Sequence, residues 1–157
     1  MLRWIQMAVP RLLRLTPILS AICLLNGAAF AQGPSAAGRW KTIDDRNGQV
    51  QSIMKIEEFG GEFRGKVERI FSPPAKSATP LCEKCPGDRK NKPVLGMEIM
   101  WGLRKSGNDY SGGRIMDPED GKIYRCKLRL IDGGKKLEVR GYIGFALLGR
   151  TQTWLRE

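Results

Sequence analysis

Cys82-Glu83-Lys84-Cys85 is the densest cluster of chemistry-bearing side chains in the sequence. A redox-active CxxC needs the first sulfur at a helix N-terminus within an α/β pattern, where the helix end stabilises a thiolate. Here Pro80 and Pro86 bracket the motif and no α/β pattern surrounds it. A structural zinc site needs four ligands. Cys126 is the one further cysteine after residue 31, the chain has no histidine, and a second CxxC is missing. The spacing is therefore read as a Cys82–Cys85 disulfide with no metal and no cofactor, and Cys126 as a buried free thiol. A thiol-dependent redox or metal-binding protein using this loop is the alternative reading.

Nucleophile constellations fare worse. With 157 residues and no histidine, the chain lacks a Ser-His-Asp triad, a Cys-His dyad and any imidazole acid or base. Ser52-Ile53-Met54-Lys55 has S-x-x-K spacing, which aligns serine and lysine only at the start of a helix. On a strand, positions three apart face opposite sides. Ser111-Gly112-Gly113 has a hydroxyl beside flexible backbone donors but no base to activate it. Asp117-Pro118-Glu119-Asp120-Gly121 lacks the register of a calcium loop and reads as a proline-containing turn. The protein is expected not to be an enzyme.

The elements that must carry these residues begin after the first 31. Arg3, Arg11 and Arg14 precede an apolar stretch from Leu15 to Leu25, and Ala29-Phe30-Ala31 has the A-x-A form of a cleavage site. The stretch is shorter than the ~20 apolar residues a membrane-spanning helix needs. Ile22 before Cys23 does not suit a lipobox. Residues 1–31 are thus expected to be a signal peptide cleaved near Ala31, 32–37 a flexible lead-in and 38–157 the folded domain, periplasmic or secreted. Cleavage would remove three arginines and no acid from a chain with 27 basic and 16 acidic residues, leaving it strongly basic.

Within the domain the apolar period is two. Tyr124, Cys126, Leu128 and Leu130 alternate with Arg125, Lys127 and Arg129; Leu137, Val139, Gly141 and Ile143 alternate with Lys136, Glu138, Arg140 and Tyr142. That pattern predicts half-buried strands over 122–131 and 136–143, with others over 38–43, 50–59, 62–71, 110–116 and 149–156. Residues 94–105 fit a strand face, although Pro93 suits a helical turn at the start. Turn signals at 44–48, 60–61, 106–109, 117–121 and 132–134 separate them. Many short strands with hairpin spacing and no βα alternation predict an all-β antiparallel barrel or sandwich of about eight strands. Residues 72–93, with five prolines and the CxxC, form one long loop.

Five blocks now carry a resemblance: GRW at 38–40, PVLGMEIMWGL at 93–103, YSGGRIMDPEDGKIY at 110–124, LEVRGYIG at 137–144 and GRTQTW at 149–154. Together they resemble the bacterial exported family known as domain of unknown function 2147, from Gly38 to the C-terminus. The resemblance implies a single lipocalin-like β-barrel and no assigned activity; it transfers no catalytic residue. Gly38-Arg39-Trp40 is also similar to the G-x-W that opens the first strand of lipocalins, and an arginine such as Arg156 on the last strand can stack over that tryptophan.

Two surfaces suit binding. If Trp154 points inward, Arg150 and Gln152 share its face, and a pocket using Trp40, Tyr124, Arg150 and Trp154, with Arg140 at its rim, would take a small lipophilic or anionic ligand. Between Lys122 and Arg140 lie seven basic and two acidic residues, mostly opposite the apolar stripes. This face suits an anionic membrane or envelope surface rather than nucleic acid, given the expected export.

Overall fold

A computed structural model describes residues 33–71 and 80–157. The expected leader, with Ala31, and the start of the long loop lie outside the described residues. Eight strands are present among the described residues: β1 (Gly38–Ile43), β2 (Val50–Phe59), β3 (Glu62–Ile70), β4 (Glu98–Ser106), β5 (Asp109–Met116), β6 (Ile123–Ile131), β7 (Lys136–Tyr142) and β8 (Gly149–Arg156). Each pairs antiparallel with the next. β1 returns to β8 through Trp40 opposite Arg156 and Lys41 opposite Leu155, closing the barrel. Closure leaves no unpaired sheet edge.

The two-residue period decides what faces the lumen. Cys126 and Leu128 of β6 are buried, while Arg125, Lys127 and Arg129 between and beyond them are exposed. In β7, Leu137 and Val139 are buried, opposite Trp154 and Gln152 of β8. The expected strand over 94–105 starts later, at Glu98. Residues 94–97 turn instead: Gly96 has φ 83°, its N–H donates to the Val67 carbonyl, and the Met97 N–H donates to Val94. The left-handed turn at Gly96 comes before the ladder, so the apolar run is split between turn and strand.

One end of the barrel is sealed. Trp40 is fully buried and its indole N–H donates to the Ala36 carbonyl at 2.8 Å. The Ala36 N–H donates to the Tyr110 hydroxyl at 2.9 Å, and the Tyr110 ring meets Phe63 edge-on at 4.7 Å. Arg156 lies over the Trp40 ring at 4.2 Å. Gly38 makes this possible: its φ is 138°, and a Cβ there would lie 2.7 Å from Arg156 Nη1. The G-x-W glycine thus leaves room for the arginine.

Candidate functional site

Opposite the seal, the described residues leave the lumen open. A cavity of about 1160 Å³ runs inward from the end where the β1–β2, β3–β4, β5–β6 and β7–β8 connections gather. Its wall is apolar, built from Met54, Val67, Ile99, Met116, Val139 and Trp154; its rim is polar and charged, with Asp45, Arg46, Glu119 and Arg150. Inward positions along several strands create this division, and the connections add the charge. Thr42 and Ser52 also line it, with hydroxyls 2.7 Å apart and the Ser52 N–H donating to Thr42 Oγ1 at 3.0 Å.

Three of the five residues expected at a pocket line this cavity: Tyr124, Arg150 and Trp154. Arg150 and Trp154 are linked by a polar ladder on one wall. The Trp154 indole N–H donates to Gln152 Oε1 at 3.2 Å, and Gln152 Nε2 lies 3.5 Å from Asp45 Oδ2. Arg150 donates to the same carboxylate oxygen through Nη2 and through Nε at 3.1 Å. Arg150 is exposed at the mouth rather than buried, so its pair with Asp45 is screened and holds the side chain only weakly. Tyr124 donates weakly to Asp120 at 3.5 Å; burial and the neighbouring carboxylate push its phenol above its ordinary value. Asp44, beside the mouth, is lowered to about 2 by its hydrogen bonds from Arg46.

The other two expected residues sit elsewhere. Trp40 faces inward but lies in the sealed end and does not line the cavity. Arg140 points outward, donating to Thr151 Oγ1 at 2.7 Å and to the Leu147 carbonyl at 3.2 Å. Sequence reasoning missed Asp45, which a connection brings to Arg150 from 105 positions away. It also missed the wall residues Met54 and Val67, which their strands' alternation marks as inward without revealing their depth.

The other candidate chemistry resolves into structure. Cys82 and Cys85 form a disulfide, with Cα atoms 5.4 Å apart. Both are buried, and the backbone around them is pinned by Cys82 N–H to Lys92, Asn91 N–H to Cys82 and Val94 N–H to Pro80. Gly121, at φ 73°, packs against the Lys84 carbonyl so closely that a Cβ would overlap it, fastening the β5–β6 turn to the disulfide loop. Buried sulfurs outside a helix N-terminus lack the access and the electropositive setting of redox cysteines. Replacing both by serine is expected to cost about 2–3 kcal/mol, the constraint of a short closed loop plus two buried hydroxyls. Urea unfolding would show it. Native protein should keep the bond in a mild dithiol that reduces it once unfolded.

Cys126 is a free, fully buried thiol that burial pushes from 9.0 up to about 12. The unfolded chain loses this proton at lower pH than the folded one. Its contribution to stability is therefore intact below pH 9 and lost as pH rises from about 9 to about 12. Cys126→Ala should flatten that part of the stability–pH curve relative to the parent protein. An alkylating agent should label Cys126 only after unfolding. Ser111-Gly112-Gly113 is packing as well: a Cβ on Gly113 would overlap Leu103. Among the described residues no cluster of His, Cys, Asp and Glu is arranged to hold a metal ion.

The outer basic face is less uniform than its composition suggests. Arg129 pairs with Asp109 at 2.7 Å, Lys136 with Asp132 at 3.3 Å and Lys122 with Asp120 at 3.1 Å. Arg125 stands opposite Arg114 of β5, and Lys127 lies 5.9 Å from the Tyr142 ring. Arg125 near the mouth and Lys135 at the sealed end have no carboxylate partner among the described residues.

Among solved structures, the chain is similar to protein HP1028 from the human pathogen Helicobacter pylori, described as belonging to the lipocalin family. The TM-score is 0.67 at 22% identity, covering 79% of this chain and 84% of that one. This likeness establishes the lipocalin-like fold alone. A comparison with curated proteins found no match. A family model for an uncharacterized protein conserved in bacteria (DUF2147) matches residues 38–156, and the chain belongs to that family.

Proposed function

We propose that this protein is an exported, non-enzymatic binding protein. Its barrel takes a small amphipathic molecule with an apolar body in the lumen and an anionic head at Arg150. The open cavity of about 1160 Å³ carries this reading, because its wall is apolar and its polar groups converge at the mouth. Cavities of several hundred Å³ or more with that division suit lipophilic ligands. Asp45 already gives Arg150 a carboxylate partner, which a ligand's carboxylate would replace on equal chemical terms. Tyr124 and Gln152 supply further polar contacts beneath it. Export rests on the basic start, the apolar stretch and the A-x-A at residues 29–31.

The test is titration with a fluorescent long-chain fatty acid and with its uncharged alcohol. Saturable one-to-one uptake of the acid is expected, with the alcohol bound more weakly and Arg150→Ala removing the difference. Failure of both probes to saturate a single site would overturn the proposal.

A further inference from the structure

The β7–β8 connection is an exposed apolar tip on the rim of the mouth. Phe145 is 80% exposed and Leu147 90%, and Ile143 and Leu148 are exposed beside them. The tip is ordered: the Leu148 N–H donates to Phe145 at 3.0 Å, and Arg140 donates to the Leu147 carbonyl. Large side chains held in water by an ordered loop call for an apolar partner.

The surroundings state what kind. Immediately beside the tip, a cleft of about 170 Å³ on the outer face is lined by Arg114, Arg125, Tyr142 and Ile143. Arg114 and Arg125 face each other across β5 and β6, and neither has a carboxylate partner among the described residues. Lys127 lies over the Tyr142 ring next to them. Of the acids elsewhere on the rim, Asp44 pairs with Arg46, Asp45 with Arg150 and Asp120 with Lys122, while Glu83, Asp117 and Glu119 have no ion-pair partner among the described residues.

We infer that the β7–β8 tip is a membrane-docking element. Phe145, Leu147 and Leu148 enter the interfacial layer of an anionic bilayer while Arg114 and Arg125 receive a lipid phosphate. Apolar side chains beside basic ones are the combination that binds anionic interfaces, where neither part alone holds firmly. A second copy of the chain fits less well. Pairing two tips would bring their arginines together, and three or four side chains fall short of the area a stable dimer buries. Ile143 and Leu148 belong to both the tip and the cavity lining, so docking would set the mouth against the lipid. The docking surface itself does not depend on the lumen holding a ligand.

The test places an environment-sensitive nitrobenzoxadiazole dye on the thiol introduced by Leu147→Cys, in full-length protein carrying Cys23→Ser. Cys82 and Cys85 are bridged and Cys126 is buried, so they leave the label to the new site. A second protein carries the dye through Glu58→Cys, next to the β2–β3 turn. On vesicles containing phosphatidylglycerol, the dye at position 147 should brighten and shift to the blue, and lipid-borne nitroxide should quench it. The dye at position 58 should not respond. Phe145→Ser with Leu148→Ser should weaken vesicle partitioning at least ~10-fold, and Arg114→Glu with Arg125→Glu should weaken it on anionic vesicles only. No response at position 147 would overturn the inference. So would an equal response on pure phosphatidylcholine, or a response without vesicles that grows with protein concentration, which would identify a second copy as the occupant.

Discussion

Arg156→Ala is expected to lower the stability of the barrel by about 3 kcal/mol, from one cation–π contact and three charge-assisted hydrogen bonds partly replaced by water. The guanidinium lies over Trp40 at 4.2 Å and donates to the carbonyls of Gly134 at 2.7 Å, Ser35 at 2.7 Å and Ala37 at 3.3 Å. One side chain therefore ties together the segment before β1, the β6–β7 turn and the first strand. Arg156→Lys keeps the charge but not the planar fork, so it should recover less than half of the loss. Gly38→Ala acts on the same contact from the other side, since its Cβ would crowd Arg156 Nη1. Urea midpoints at unchanged slope would measure all three. A shift below about 0.5 kcal/mol for Arg156→Ala, the size of an ordinary surface substitution, would mean that the arginine does not hold the seal.

Val67→Trp combined with Val139→Trp should weaken ligand uptake at least ~30-fold while leaving the fold in place, because the lost apolar burial of the ligand amounts to several methylenes. β3 and β7 lie four strands apart in the closed order of eight, hence across the lumen from one another. Both valines line the cavity, so the two indoles project into open space rather than into packed core. Overpacking is costly where no void exists, and here the void is large. The sealed end, with Trp40, Tyr110 and Phe63, is untouched. Uptake of the fluorescent acid by the double variant with unchanged affinity would place its binding outside the lumen.

The strands were legible because a period of two over seven to ten residues is hard to mimic. Seven of the eight strand boundaries expected from the sequence agree with the structure to within a residue, and the exception, β4, is cut back by Gly96. Alternation reports a face, however, and not a depth. It marks Trp40 and Trp154 alike as inward, yet one seals the barrel and the other lines the cavity. The polar rim was legible only in part. Arg150 shares a face with Trp154 on β8, but its partner Asp45 sits on a connection whose reach no local pattern gives. The apolar tip was least legible. Ile143 closes an alternating strand pattern, and Phe145, Leu147 and Leu148 have the composition of buried core. Only the path of the β7–β8 connection leaves them in water.

Mass spectrometry of protein purified from cells, sprayed first under native and then under denaturing conditions, tests most directly whether the lumen is a binding site. The account predicts a non-covalent adduct of a few hundred daltons, an order of magnitude set by what a cavity of this class holds. It should be present in native spray, lost on denaturation and absent from the Val67→Trp/Val139→Trp variant. An adduct that survives that variant, or a bare chain that also fails to take up added fatty acid, would contradict it.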